Sequence, residues 1–142
     1  MILISHRGNI SGPNKLLENT IPYINESLIN YDCEIDLYYI NDSLFLGHDY
    51  PEHKVDLTWL EDRKYKLWIH CKNLKCLSFF NSTNDFNYFW HENDKATLTS
   101  KGYIWAYPGM QPIKNSIAVM PEIYGDILEF STGICSDYIN KY

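Results

Sequence analysis

Short apolar runs that end in charged residues constrain the fold of this chain more than any other feature. Residues 2–4, 31–35 and 44–46 are runs of this kind. Several such runs lack polar alternation, which is typical of parallel strands buried on both faces. Polar residues close successive runs, among them His6, Asp36, Lys72, Glu92 and Glu122. The carboxyl ends of parallel strands meet at one rim of a barrel, so we expect these side chains to converge there.

This pattern predicts an α/β fold, namely a small (β/α) TIM-type barrel. A barrel of that type takes about 250 residues, whereas this chain has 142. We therefore expect a single domain over residues 1–142 in which most outer helices are reduced or missing. Helical spacing of apolar residues predicts one clear helix over residues 20–30, with shorter ones near 55–62 and 74–80. Aromatic side chains or a second copy of the chain would then cover the outer face, which predicts a homo-oligomer.

Charge and cysteine content exclude several classes of protein. The formal net charge of −6 argues against a nucleic-acid binder, which usually presents a basic stripe. No apolar run is long enough to span a membrane, and the first residues contain no signal-peptide core. The four cysteines form no C-x-x-C pair, and zinc at Cys71 and Cys76 has an unusual spacing. We expect a cytoplasmic protein with reduced thiols.

The charged residues in the first third of the chain suit phosphate chemistry. Glu34 and Asp36 lie two apart on a predicted strand, so their side chains share a face and can reach one divalent cation. His6 and His48 follow strands and can move protons near neutral pH. Arg7 offers a planar fork for phosphate oxygens. Each of these residues also has a plain structural alternative, such as a solvated strand end or a salt bridge from Arg7 to a carboxylate.

Four motifs in order along the chain resemble the glycerophosphodiester phosphodiesterase family, within the phosphatidylinositol phospholipase C-like barrels. They are Ser5-His6-Arg7-Gly8, Glu18-Asn19-Thr20, Glu34-Ile35-Asp36, and Gly47-His48-Asp49 with Pro51 after it. Weaker similarity continues through residues 68–72, 103–105 and 133–138. The chain therefore looks like a compact, trimmed branch of that family.

The resemblance implies a metal-dependent phosphodiesterase that acts on a glycerophosphodiester-like or sugar-phosphodiester small molecule. Mg²⁺ or Ca²⁺ would bind at Glu34 and Asp36, while His6 and His48 would serve as general base and general acid. Arg7 and Lys72 would contact the phosphate. The chain departs from the family pattern at His70, where a third metal-binding carboxylate is expected, and at Ile139, where a proline is expected.

Several further residues are candidates with alternatives left open. His70 is a third metal ligand, a substrate contact or a core histidine. His91 and Glu122 are candidate contacts for polar groups of the substrate, or else surface loop residues. Trp105 is a candidate stacking surface for the substrate, or else a core aromatic. Asn19 is expected to fix the first loop and cap the following helix rather than touch substrate.

Two other functions remain open at this stage. A non-catalytic sugar- or phosphate-binding module would keep the pocket and bind a phosphorylated ligand without turnover. A lyase-type enzyme would use a neighbouring hydroxyl of the substrate as nucleophile and form a cyclic phosphate. A nucleotide- or nucleic-acid-directed enzyme is disfavoured by the acidic net charge.

Overall fold

Strands dominate the computed structural model, which describes residues 1–83 and 85–142. Within those residues the strands are β1 (Ile2–His6), β2 (Asp32–Ile40), β3 (Ser43–Leu46), β4 (His53–Val55), β5 (Leu67–Cys71), β6 (Asn87–Phe89), β7 (Ala96–Leu98), β8 (Ile104–Ala106), β9 (Ser116–Val119) and β10 (Ser131–Ser136). The α-helices of the same residues are α1 (Ile21–Ser27), α2 (Leu57–Glu61) and α3 (Leu74–Asn81). Short 3₁₀ helices cover Pro121–Ile123 and Ile139–Lys141.

The strands form one mixed sheet. Parallel pairing gives the spatial order β6-β5-β2-β1-β10-β9-β8. Antiparallel pairs join β3 to β2, β4 to β3 and β7 to β8. The two ends of the parallel order are therefore β6 and β8, and every strand between them is hydrogen-bonded on both sides.

The sheet curls strongly. Six strand spacings separate β6 from β8, which is about 29 Å in a flat sheet at about 4.8 Å per spacing. The ring centroids of Phe89 and Trp105 are nevertheless only 4.8 Å apart. Trp68 of β5 also lies 5.7 Å from Trp105. The result is a curled half-barrel whose opposite edges meet through aromatic side chains.

The predicted TIM-type barrel with alternating strands and helices is wrong. An α-helix lies between β1 and β2, between β4 and β5, and between β5 and β6. In the described part of the chain, the connections from β6 onward contain no α-helix and only the 3₁₀ turn before β10. The β8–β9 and β9–β10 connections are short and carry Gly and Pro residues, which disfavour a covering helix. The antiparallel strands β3, β4 and β7 take up residues that a regular barrel would give to helices.

The predicted helices agree with the structure better than the predicted barrel does. The helix expected over residues 20–30 occupies Ile21–Ser27, with Pro22 in its first turn. The helix expected near residues 74–80 is α3, where the Asn73 side chain accepts a hydrogen bond from the Cys76 amide at 3.1 Å. Strand β4 at His53–Val55 was not predicted from the sequence.

Two apolar clusters pack on the two faces of the sheet. One lies between the sheet and the helices, where Ile35, Leu37, Ile69 and Phe80 are fully buried. The other fills the concave side, and we call it the inner core: Ile4, Trp68, Phe89, Trp105, Ile117, Val119 and Cys135. Because side chains alternate along a strand, the residue two positions beyond an inner-core residue faces the same cavity.

That alternation places a polar layer directly above the inner core. The pairs are His6 after Ile4, His70 after Trp68, His91 after Phe89, Tyr107 after Trp105 and Asp137 after Cys135. All five lie in, or just after, the C-terminal half of a parallel strand. Polar side chains therefore gather at the carboxyl ends of the strands, although the barrel around them is incomplete and the predicted rim residue Glu122 is not among them.

Two further expectations concern a membrane span and the oligomeric state. None of the described helices is long and apolar enough to cross a membrane. The homo-oligomer stays a prediction; Ile123, Tyr124, Ile127 and Phe130 are exposed apolar side chains in the β9–β10 connection.

Candidate functional site

Two buried carboxylates form the centre of the polar layer. Glu34 and Asp36 of β2 are 2% and 0% exposed. Strand β2 is paired on both sides here, so Glu34 lies in register with His6 of β1 and Asp36 with His70 of β5. The sheet therefore presents two carboxylates and two imidazoles from three adjacent strands.

Glu34, Asp36 and His70 form a compact group, which we call the triad. Nδ1 of His70 lies 3.0 Å from Oδ1 of Asp36 and 3.9 Å from Oε1 of Glu34. One potential ligand atom from each residue lies within 4.8 Å of the other two. Among the residues that the structure describes, this is the group whose side chains can hold a metal ion, and it contains no cysteine.

Two oxygens of the triad are buried without hydrogen-bond partners. They are Oε2 of Glu34 and Oδ1 of Asp36. The group nearest to Oδ1 of Asp36 is Nδ1 of His70, at 3.0 Å. A buried acceptor without a partner costs about 1–3 kcal/mol, and more for a charged group. A divalent cation between these atoms would satisfy both oxygens.

The two carboxylates differ in their acidity. Burial and the neighbouring charge of Asp36 raise the pKa of Glu34. Burial alone would also raise the pKa of Asp36, but contacts from His48 and His70 and the charge of Arg7 hold it well below its usual value. The pair therefore carries one firmly ionised carboxylate and one whose charge is disfavoured without a cation.

Arg7 enters the site from a tight turn after β1. Its backbone is left-handed at φ 55°, an uncommon conformation for a residue with a side chain. The Nε atom lies 2.9 Å from Oδ2 of Asp36, and Nη1 lies 3.4 Å from Oε2 of Glu18. The salt bridge to a carboxylate that was the alternative role for Arg7 is thus present, with Asp36 as its partner.

Asn19 clamps this loop onto Asp36. Its side-chain amide donates to Oδ2 of Asp36 at 2.9 Å, and its carbonyl accepts from the Asp36 backbone amide at 3.0 Å. The backbone N–H of Asn19 also donates to the backbone carbonyl of Arg7 at 3.1 Å. These contacts agree with the expectation that Asn19 fixes the first loop. The expected helix cap is wrong, because the N-cap residue of α1 is Thr20 and no side chain among the described residues caps this helix.

His6 is held by a carboxylate that the sequence reading did not select. Its Nδ1–H donates to Oδ1 of Asp137 at 2.8 Å, while Nε2 lies 3.8 Å from Oε2 of Glu34. Asn9 donates to the same Asp137 oxygen at 2.7 Å. Burial opposes the charged imidazolium, but the Asp137 hydrogen bond and the Glu34 charge outweigh it and raise the pKa of His6.

Asp137 is correspondingly acidic. Burial would raise its pKa, yet the hydrogen bond and charge of His6 lower it below the usual value. A carboxylate on one imidazole nitrogen fixes the tautomer and leaves the other nitrogen free for proton transfer. The signal that could have found Asp137 is its place two residues after buried Cys135, the same offset that separates His6 from Ile4.

His48 lies at the open side of the site, with 39% of its side chain exposed. Its Nδ1 is 2.7 Å from Nη2 of Arg7 and 3.3 Å from Oδ2 of Asp36. The turn that carries it needs Gly47, since a Cβ there at φ 153° would collide with the Tyr50 carbonyl. His48 is therefore positioned beside the carboxylate pair yet accessible from solvent.

Two pockets meet at His48. One, of about 430 Å³, is lined by Arg7, Lys15, Asp49 and Tyr50 among others. The other, of about 320 Å³, is lined by His70, Lys72, His91 and Glu92. Lys72 contributes its Nζ at 3.9 Å from Oδ1 of Asp36. A ligand centred at His48 would thus have room for a substituent on each side.

A column of rings supports the site beyond His70. The rings of His70 and His91 stack with centroids 4.4 Å apart, and His91 lies 4.3 Å from the ring of Tyr107. Burial and the charge of His70 lower the pKa of His91 to about 4, so this ring is neutral at pH 7. His91 therefore lies at the site as predicted, in contact with a triad member.

Tyr107 is a second site residue that sequence reasoning missed. Its hydroxyl is buried and has no hydrogen-bond partner. Burial and then the nearby charge of Glu34 raise its pKa far above the usual value, so the hydroxyl keeps its proton. A buried donor without a partner beside two carboxylates is available to a bound anion or water.

Two predicted contacts lie elsewhere. Trp105 is 2% exposed and packs between Trp68 and Phe89 in the inner core, below the polar layer. Glu122 accepts hydrogen bonds from Ser136 and from the Tyr142 hydroxyl. Ser136 alternates with Cys135 and so faces away from the cavity. The structure therefore brings neither Trp105 nor Glu122 to the triad.

Comparisons of this chain with protein-family models, with curated proteins and with solved structures gave no match. The resemblance to the glycerophosphodiester phosphodiesterase family therefore stays a prediction, and the geometry of the site carries the functional argument.

Proposed function

We propose that this protein is a metal-dependent phosphodiesterase acting on a small glycerophosphodiester-like or sugar-phosphodiester substrate. The observation that carries the proposal is the pair of buried oxygens without partners, Oε2 of Glu34 and Oδ1 of Asp36, beside the imidazole of His70. Cations and proton-transfer groups surround that pair. The residues present fit a divalent metal ion, which Glu34, Asp36 and His70 would hold.

The bound metal would polarise the phosphoryl group and neutralise charge on its oxygens. Arg7 and Lys72 supply further positive charge at the same centre. The planar fork of Arg7 suits two phosphate oxygens, whereas Lys72 acts as a point charge. The Tyr107 hydroxyl has no protein partner and donates to an oxygen of the phosphate or to the attacking water.

His6 is the general base in this proposal. Nε2 takes a proton from the attacking water or from a neighbouring substrate hydroxyl as the new P–O bond forms. Asp137, which accepts from Nδ1, orients the ring and stabilises the imidazolium. The raised pKa of His6 supports this role, because a stronger base accepts the proton more readily.

His48 is the general acid. It donates a proton to the leaving alcohol as the second P–O bond breaks, and its exposed position lets it recover that proton from solvent. Attack by water gives a phosphomonoester and an alcohol. Attack by a substrate hydroxyl gives a cyclic phosphate and an alcohol, which is the lyase-type outcome.

Free, buried cysteines accompany this site. Cys33, Cys71, Cys76 and Cys135 are all unpaired and buried. Reduced thiols suit the cytoplasm, where soluble phosphodiesters of this kind would be the substrates. We include that location, and a small-molecule partner, in the proposal.

The test is phosphorus NMR of the full chain with a mixture of glycerophosphodiesters, in the presence of Mg²⁺, Ca²⁺, Mn²⁺ or a chelator. We expect metal-dependent conversion, absent in His6→Ala and retained in His53→Ala, a histidine exposed on β4. The product resonance distinguishes a monoester from a cyclic ester. Conversion that survives both the chelator and His6→Ala contradicts the proposed roles.

One observation favours a second function, a phosphate-binding module without catalysis. Asp36 contacts Arg7, His48, His70 and Lys72, so cationic and polar groups of the protein itself partly neutralise the cluster. Such a module would broaden or shift the phosphorus resonance of a phosphodiester without forming product. The same NMR experiment therefore separates the two functions.

A further inference from the structure

We propose that His70 makes the triad selective for a first-row transition-metal dication, Mn²⁺ or Zn²⁺, over Mg²⁺ and Ca²⁺. This inference rests on the proposed metal site and adds the identity of the ion. Carboxylate and water oxygens satisfy Mg²⁺ and Ca²⁺, whereas an imidazole nitrogen favours transition metals. The triad offers two carboxylates and one imidazole, so it combines oxygen and nitrogen donors.

The position of Nδ1 suits a metal ligand shared with Asp36. It lies 3.0 Å from Oδ1 of Asp36, yet that oxygen has no hydrogen bond. Two ligand atoms at right angles, each about 2.1 Å from a small ion, are about 3 Å apart. Around Ca²⁺, at about 2.4 Å, the same two atoms would be about 3.4 Å apart. The observed separation fits the smaller ions, Mg²⁺ among them, and argues against Ca²⁺.

The fold holds the His70 ring in this orientation. His70 is 6% exposed and lies in register with Asp36 on the adjacent strand. Its ring stacks on Phe89 with centroids 5.2 Å apart and an interplanar angle of 9°, and on His91 at 4.4 Å and 23°. A ring held by two aromatic neighbours of the adjacent strand presents Nδ1 to the carboxylates without a large loss of rotamer entropy.

Local charge also disfavours Mg²⁺ and Ca²⁺. Arg7 and Lys72 lie 2.9 Å and 3.9 Å from oxygens of Asp36, and they reduce the negative field that the carboxylates produce. Ions bound mainly by electrostatic attraction, after a large loss of hydration, depend on that field. A transition metal gains additional bonding from the imidazole nitrogen and depends on the field less.

The experiment is a calorimetric titration of the metal-stripped full chain with Mn²⁺, Zn²⁺, Mg²⁺ and Ca²⁺. For wild type we expect Mn²⁺ and Zn²⁺ to bind at least about 100-fold more tightly than Mg²⁺. In His70→Glu the ratio of Mg²⁺ to Mn²⁺ dissociation constants should fall by about 10-fold or more. In His70→Gln, Zn²⁺ affinity should fall by at least about 10-fold, while Mg²⁺ changes far less.

His53→Gln is the matched control, because it removes an exposed histidine outside the site and should leave every constant unchanged. If His70→Glu does not fold, NMR with Co²⁺ tests directly whether His70 binds the metal. NMR of the wild-type protein with Co²⁺ should show a hyperfine-shifted imidazole N–H proton, which His70→Gln removes.

Three outcomes would overturn the inference, and they are distinguishable. No binding of any of the four ions removes the metal site and with it the proposed function. Binding of Mg²⁺ as tight as that of Mn²⁺, with a ratio that His70→Glu leaves unchanged, refutes the selectivity but keeps the site. A thiolate charge-transfer band with Co²⁺ would place the ion at cysteines such as Cys71 and Cys76.

Discussion

Replacing Glu34 by Gln should shift stability in opposite directions with and without metal. In the metal-free protein Glu34 has a buried oxygen without a partner and a raised pKa. A neutral amide of the same shape removes the repulsion with Asp36 and can donate to its free oxygen. With metal bound, the same substitution removes an anionic ligand. The melting temperature should therefore rise without metal and fall relative to wild type with metal.

The size of each effect follows from the geometry. Ligand atoms of Glu34 and Asp36 lie within 4.8 Å of each other, so two full charges there would repel by at least about 3.5 kcal/mol at an effective dielectric constant of about 20. His6, Arg7 and His70 offset most of this, so we expect a net gain of about 1 kcal/mol. An unfolding entropy of about 2.1 cal/mol/K per residue, over 142 residues, converts that to about 3 °C.

Metal binding has a larger effect than the substitution itself. At a metal concentration 100 times the dissociation constant, wild type gains about 2.7 kcal/mol. The same unfolding entropy converts this to a rise of about 9 °C, which Glu34→Gln should largely lose. The assay is calorimetric or fluorescence melting of both proteins, with chelator and with Mn²⁺. Glu129→Gln, an exposed carboxylate far from β2 in sequence, is the matched control and should leave both values unchanged.

The reasoning would be refuted by a specific pair of results. If Glu34→Gln melts several degrees below wild type in chelator and still shows the full rise with Mn²⁺, Glu34 is a structural carboxylate and not a ligand. A destabilised variant that also loses the rise would mean that its interactions with His6 and Arg7 outweigh the repulsion.

Three further predictions concern the groups around the triad. Asp137→Asn should lower kcat by about 10- to 100-fold, because a charge-assisted hydrogen bond worth about 1.5–3 kcal/mol is weakened, and NMR titration should show a lower pKa for His6. The same titration of wild type should find His6 above the ordinary pKa of 6.5 and His91 at about 4. The pKa of His91 is lower in the folded protein than in the unfolded chain, so the unfolded chain binds the proton more readily. The contribution of neutral His91 to the free energy of unfolding should therefore be present above pH 6.5 and be lost as the pH falls towards 4. Tyr107→Phe should lower kcat about 10-fold at unchanged metal affinity, measured by phosphorus NMR kinetics and calorimetry.

Each of these has a result that would count against it. Unchanged kcat and His6 pKa in Asp137→Asn would make the contact incidental. A His91 ring that titrates near 6.5 would mean that the ring is solvated rather than packed on His70. Full activity of Tyr107→Phe would assign its buried hydroxyl to an ordered water instead of the phosphate.

The sequence predicted the strands and the chemistry at their ends better than the architecture around them. Apolar runs without alternation identified β1, β2 and β5, and the period of two along β2 placed Glu34 and Asp36 on one face. The barrel prediction failed because strand periodicity says nothing about what lies between strands. Short connections after β6, and the antiparallel strands β3, β4 and β7, leave a curled half-barrel instead.

The same distinction between local sequence and tertiary structure applies to the candidate site. Local sequence determined which residues are chemically capable, since a polar residue two positions beyond a buried one faces the same cavity, as His6 does after Ile4. Only tertiary pairing decided which of them meet. The parallel β1–β10 pair brings Asp137 to His6 across 131 positions, and the curl stacks His91 on Tyr107 while burying Trp105 beneath them. Side-chain direction is a property of one strand, whereas strand order and curvature depend on contacts between residues far apart in the chain.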